Sequence, residues 1–229
     1  MAPDWRASPN FGPRRAGFMP ELIVLHYTGM ASVEAALERL CDPAAEVSAH
    51  YLISRDGQLV QMVEEGARAW HAGHGEWGGA GDVNSRSIGI ELDNPGDAPF
   101  SAPLMATLEA LLPGIMARWT IAPQRIIAHS DMAPDRKRDP GARFDWRRLA
   151  RGGLSVWPDR PAPAAPDERA FREATARIGY GSGWTSAQVL SAFRLRFRPW
   201  ADGPLDATDM GLARDLARRF PVDRGAAAS

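Results

Sequence analysis

The chain carries five histidines, His26, His50, His71, His74 and His129, and the setting of two of them suggests a metal centre. His26 closes the apolar run Leu22-Ile23-Val24-Leu25, and His129 closes Arg125-Ile126-Ile127-Ala128. Each therefore sits at the C-terminal end of an expected strand, where open α/β sheets build their sites. Alone, either imidazole reads more readily as a packed or surface histidine than as a ligand. The loop after His129 supplies a third candidate. Pro134 and Pro140-Gly141 restrict its backbone, so Asp139 can be returned to a fixed position. Two imidazoles and one carboxylate leave the fourth position of a tetrahedral zinc open for water, the pattern of a catalytic site. A closed structural site would draw on several cysteines, and the chain has one, Cys41.

The elements that must position these residues follow from periodicity. Leu22 to Tyr27, His50 to Ile53, Leu59 to Val63, Ser87 to Leu92 and Arg125 to His129 read as strands, the central ones as continuous apolar runs typical of buried parallel sheet. Arg55-Asp56-Gly57-Gln58 is a hairpin turn. Ser32 opens a helix with Ala36, Leu37 and Leu40 on its inward face, and Cys41 follows as a half-buried packing residue. Ala102 to Trp119 is helical by period, with Pro113-Gly114 expected to kink or split it. A short helix is expected around Asp145 to Leu149. The alternation implies an α/β fold, a mixed central β-sheet flanked by helices.

The first twenty residues read as an extended arm of the main domain, 1–157. Residues 158–166, rich in proline, read as a stiff linker. Beyond it, Asp167 to Ile178, Thr185 to Phe197 and Asp206 to Phe220 form a small C-terminal three-helix module, 167–221; its second helix starts with the capping box Thr185-Ser186-Ala187-Gln188 and carries Val189, Phe193 and Phe197 at a spacing of four.

Composition excludes several classes. A formal net charge of −1 argues against a nucleic-acid binder, which needs a basic excess. No stretch approaches the roughly 18 apolar residues of a transmembrane segment. The N-terminal residues lack the apolar core of a secretory signal, which points to the cytoplasm, or to the periplasm if the natural N-terminus extends further. There is no His-Glu-x-x-His helix, so a metalloprotease of that class is excluded.

Four ordered motifs make the chain recognisable. Ile23-Val24-Leu25-His26-Tyr27-Thr28, Trp70-His71-Ala72-Gly73, Ser87-Ile88-Gly89-Ile90-Glu91-Leu92 and His129-Ser130-Asp131 with Arg136-Lys137-Arg138-Asp139-Pro140-Gly141 resemble the amidase-2 type of N-acetylmuramoyl-L-alanine amidase. These are the AmiD/AmpD-like zinc amidases, related to phage T7 lysozyme and to peptidoglycan recognition proteins. The likeness covers roughly residues 18 to 155, and Tyr180-Gly181 and Phe193 to Pro199 are similar to the C-terminal module of AmiD-type amidases.

The resemblance implies one Zn2+ per chain held by His26, His129 and Asp139, with peptidoglycan fragments or muropeptides as partners. It implies that Glu91 is the general base and that Lys137 stabilises the charged tetrahedral intermediate. The residue chemistry agrees: a carboxylate at the end of an apolar strand is costly to bury unless paired or working, and an ammonium two residues from Asp139 can face an oxyanion. The alternatives are an arginine-paired strand-end carboxylate and a solvated loop cation. His71, Trp70, Asn84 and Arg86 are candidate substrate contacts, with structural roles open for each. Trp77 can stack on a sugar or anchor its loop; His50 reads as a packing residue or a support to a ligand. His74 and Glu76 have the spacing of a weak metal pair on a glycine-rich rim. The rival to catalysis is a peptidoglycan-binding protein on the same fold, which would need none of Asp139, Glu91 and Lys137.

Overall fold

The computed structural model describes residues 2–222; Met1, the first residue of the expected arm, lies outside them. In chain order the elements are β1 (Asp4–Trp5), β2 (Phe11–Gly12), β3 (Leu22–Tyr27), α1 (Val33–Cys41), β4 (Tyr51–Ile53), β5 (Leu59–Gln61), β6 (Arg68–Ala69), α2 (Val83–Arg86), β7 (Ser87–Leu92), α3 (Ala102–Trp119), β8 (Ile126–Ala128), α4 (His129–Met132), α5 (Trp146–Arg151), α6 (Glu168–Ile178), α7 (Ser186–Phe197) and α8 (Ala207–Arg219). A six-stranded sheet runs in the order β1-β5-β4-β7-β3-β8, and β2 pairs with β6 in a separate ribbon. Only β4 and β5 pair antiparallel within the main sheet, through the Asp56-Gly57 turn; the other neighbours are parallel. The sheet is therefore mixed, as expected.

Strand β3 lies between β7 and β8, and alternation along it divides the core. Ile23 and Leu25 face Leu104, Leu108, Leu112 and Ile115 of α3 together with Trp146 and Leu149 of α5. Leu22 and Val24 face the other way, into a core shared with Phe171 and Ile178 of α6, Val189, Phe193 and Phe197 of α7 and Met210 and Leu216 of α8. Leu52 and Val60 on the same sheet pack with Leu37 and Leu40 of α1. Burial on both faces explains why β3 and β7 read as nearly unbroken apolar runs.

The helix starts follow their caps. Ser32, Asp145, Asp167, Thr185 and Asp206 each accept a hydrogen bond from a backbone amide in the first turn, a stabilisation of about 1 kcal/mol apiece. Two expectations are corrected. Helix α3 continues through Pro113 without being split, because Pro113 is exposed while Leu112 and Ile115 hold the helix to the sheet. His129 is not the last residue of a strand: β8 stops at Ala128, and the segment expected to be irregular begins as the short helix α4. The Asp131 carboxylate accepts the amide of Ala128 at 2.9 Å and turns the chain there.

Candidate metal centre

Parallel strands bring the site together. Register pairs His26 of β3 with Glu91 of β7, and Leu25 with Ala128, the residue before His129. Three neighbouring strands thus end at one place, with His26 and Glu91 near the tips of β3 and β7 and His129 directly after β8. The loop after α4 then returns Asp139, whose backbone carbonyl accepts the amide of Ser130 at 3.1 Å. The result is a buried triangle. His26 Nδ1 lies 2.9 Å from His129 Nδ1, and each lies 3.0 Å from Asp139 Oδ2.

Hydrogen-bond direction identifies what these three atoms present to one another. His129 Nε2 lies 3.0 Å from the carbonyl of Ala72, which can only accept, so Nε2 carries the proton and Nδ1 of the neutral ring is a lone pair. His26 has its Nε2 3.0 Å from His71 Nδ1. Burial first, and the neighbouring His129 second, push His26 down to about 4, so at neutral pH it is uncharged. Burial works to raise the Asp139 carboxyl, and the two imidazoles lower it more strongly, an effect that needs positive charge on their side of the triangle. A triangle with edges near 3 Å has a point about 2 Å from every corner, roughly 1 Å out of its plane, which suits zinc bonded to nitrogen and oxygen. The group can hold a metal ion, and its donor set fits zinc: electron pairs crowd together there and need a cation between them.

These residues line a cavity of about 520 Å³ with Glu91, Lys137, Trp70 and His71. Glu91 Oε2 is buried without a hydrogen-bond partner. Burial first, and the nearby charge of Asp139 second, push its carboxyl well above the ordinary range, with Lys137 acting in the opposite direction. Among the described residues no arginine pairs with it, which speaks against the expected structural alternative. The rest of the wall comes from α1 and its flanks, where Met30, Ala36, Arg39 and Leu40 form a surface that the motifs did not disclose. The helical period of α1 was the available signal, but it says only that one side is apolar.

The remaining sequence candidates separate. Trp70 and His71 line the cavity, whereas Asn84 and Arg86 do not. Asn84 Oδ1 accepts the amides of His71 and Ala72 at 3.0 and 2.8 Å. Arg86 is 1% exposed and binds Glu21 and the carbonyls of Trp77 and Ala80. Trp77 anchors its loop, packed edge-on against Tyr180 with centroids 5.0 Å apart. His50 is a supporting residue: its Nδ1 accepts the amide of Gly89 at 2.9 Å. His74 is exposed and lies against Trp184, apart from any metal-like cluster among the described residues.

Residues 16–142 match the Amidase_2 family, N-acetylmuramoyl-L-alanine amidase. The chain belongs to this family. N-acetylmuramoyl-L-alanine amidase AmiD of Escherichia coli is 34% identical over 89% of this chain and 84% of its own. Its solved complex with the substrate anhydro-N-acetylmuramic acid-L-Ala-D-γ-Glu-L-Lys superposes with a TM-score of 0.81, covering 90% of this chain and 92% of that one. AmpDh3 of Pseudomonas aeruginosa, 28% identical, gives 0.81 over 94% and 96%. The 1,6-anhydro-N-acetylmuramyl-L-alanine amidase AmpD of E. coli matches 62% of this chain at 34% identity. Among the described residues, no helix of this amidase-2 chain is long and apolar enough to cross a membrane.

Proposed function

We propose that this chain is a zinc-dependent amidase that hydrolyses the bond between N-acetylmuramic acid, or its 1,6-anhydro form, and the L-alanine of peptidoglycan stem peptides. The observation that carries the reading is the triangle of lone pairs on His26, His129 and Asp139, with the unpartnered Glu91 carboxylate beside it. The AmiD and AmpD relatives support the substrate class. Zinc held there supplies Lewis acidity, acidifying a water and polarising the scissile carbonyl.

The chain's own groups do the rest. Glu91 takes the proton of the attacking water and delivers it to the leaving amine of L-alanine; its raised affinity for protons suits both halves of the transfer. Lys137, in the loop two residues before Asp139, sets its ammonium toward the oxyanion that forms as the carbonyl becomes tetrahedral. Trp70 and the α1 wall exclude water and hold the sugar and stem peptide. The three-helix segment, 167–221, offers a longer ligand a second surface: a cavity of about 530 Å³ lined by Leu190, Arg194 and Leu205 reaches Arg138, which also borders the catalytic cavity.

The test is to incubate the purified protein with an anhydro-muropeptide and, separately, with intact sacculi. Peptides with a new L-alanine amino terminus are expected, lost on chelation and regained with added zinc. Release of no such peptide from either substrate would overturn the assignment and favour a binding protein, and activity indifferent to chelators would remove the metal from it.

A further inference from the structure

His26 and His129 are oriented by different means. His129 leans on a backbone carbonyl, that of Ala72. His26 leans on a chain of side chains that starts beneath it on β7. Ser87, Gly89 and Glu91 alternate on one face of that strand, opposite Leu22, Val24 and His26 in register. The Ser87 hydroxyl lies 2.5 Å from the carbonyl of Val83, which accepts its only proton. Its oxygen therefore accepts from His71 Nε2, 3.1 Å away. That fixes the tautomer of His71: Nε2 is protonated and Nδ1 is a lone pair. His71 Nδ1 then accepts the proton of His26 Nε2 at 3.0 Å, which leaves His26 Nδ1 bare and facing His129 and Asp139. Every proton in the chain is directed by the Val83 carbonyl.

A second feature is built for the same purpose. A Cβ at position 89 would stand 2.4 Å from His71 Cγ, so only glycine lets the His71 ring lie on the strand. Asn84 then holds the backbone of His71 and Ala72 together, and so supports the contact to each metal-facing imidazole.

We propose that Ser87 and His71 are positioning residues that fix His26 as the Nε2–H tautomer and so aim its Nδ1 lone pair at the metal. His71 consequently serves the metal centre and has no free nitrogen for substrate. The inference rests on the zinc reading above. It differs from the usual support of a metal-bound histidine by a carboxylate or backbone carbonyl, because here a second imidazole stands in that place.

The test measures zinc affinity by competition with a chromophoric chelator, together with the visible spectrum of the cobalt-substituted protein, for the full chain and for His71→Leu, His71→Gln and Ser87→Ala. Thermal melts of the metal-free proteins establish folding. Leucine removes the acceptor and should weaken zinc binding about 10- to 100-fold with an altered cobalt spectrum. Glutamine presents an amide oxygen to His26 Nε2 and should recover most of that loss. Ser87→Ala frees His71 to adopt either tautomer and should give a smaller loss. Folded variants that all bind zinc as tightly as the unsubstituted chain would overturn the proposal, as would a glutamine variant no better than leucine. If His71→Leu fails to fold, Ser87→Ala and His71→Gln decide by the same criteria. An unsubstituted chain that binds no zinc would instead overturn the metal reading on which this depends.

Discussion

His129 and Asp131 are two residues apart in one turn of helix, and both are almost wholly buried, yet they belong to polar clusters of opposite character. Around His129, two imidazole lone pairs and a carboxylate face one another, and Glu91 Oε2 has no partner. Around Asp131 each oxygen is answered: Oδ1 accepts from Tyr180 Oη at 2.6 Å, and Oδ2 accepts from Arg196 at 2.7 Å and from the amide of Ala128. Arg196 also reaches the carbonyl of Ile126 at 2.9 Å and lies over the Trp146 ring. Burial is the same in both places. What differs is whether the desolvated carboxylate oxygens meet partners of opposite polarity, and that difference separates a cluster suited to a cation from one that holds the fold together.

Substitutions can break this contrast from either side. The largest effect is expected at Glu91: glutamine there should keep zinc bound but lower turnover of a muropeptide roughly 100- to 10,000-fold, read as peptide release under saturating substrate. Full activity would reduce Glu91 to a buried structural group. On the satisfied side, Arg196→Ala leaves the Asp131 carboxylate buried without its counter-ion, and chemical denaturation should report a stability loss of about 3–5 kcal/mol. A change within the error of the denaturation curve would mean that the ion pair does not brace α4. Tyr180→Phe removes one hydrogen bond to the same carboxylate and should cost less, about 1.5–3 kcal/mol.

The smallest effect sharpens the comparison by pH. In the metal-free protein the Glu91 carboxyl holds its proton more tightly when folded than when unfolded, where its value is near 4.5. Folding is therefore opposed increasingly as pH rises above 4.5 through the raised value. Glu91→Gln lacks this penalty, so its thermal midpoint should exceed that of the metal-free parent at pH 7 by more than it does at pH 4.5. A gap that stays constant between the two would show that the carboxyl titrates normally.

Much of the centre was legible because strand ends and rigid loops carry their signals locally. Continuous apolar runs located β3 and β7, and the prolines around Asp139 marked a returning loop. The caps at Asp167, Thr185 and Asp206 fixed three helix starts to within a residue. Asn84 and Arg86 were harder, because a polar loop residue has no period that tells which carbonyl or amide it will find. Nor did the amphipathic pattern of α6 to α8 say what their apolar faces would meet. The proline-rich stretch suggested a boundary, while Trp157 and Ala164 on either side of its middle pack against the core that those helices share with β3. Sequence patterns report that a face is apolar; only the tertiary structure names its partner.

That shared core has a consequence for the order in which the molecule is made. Synthesis runs from the N-terminus, and domains tend to fold as their chain emerges. His26, Glu91, His129 and Asp139 are all polymerised before Tyr180 and Arg196, the two side chains that neutralise and anchor Asp131. Until then α4 carries a buried-to-be charge without its counter-ion, and the sheet face of Leu22, Val24 and Ile127 lacks the apolar surface of α6 to α8. The nascent protein thus holds every group of the proposed metal centre well before the brace that steadies them, and the helices α6 to α8 act as the keystone of a site to which they contribute none of the proposed ligands.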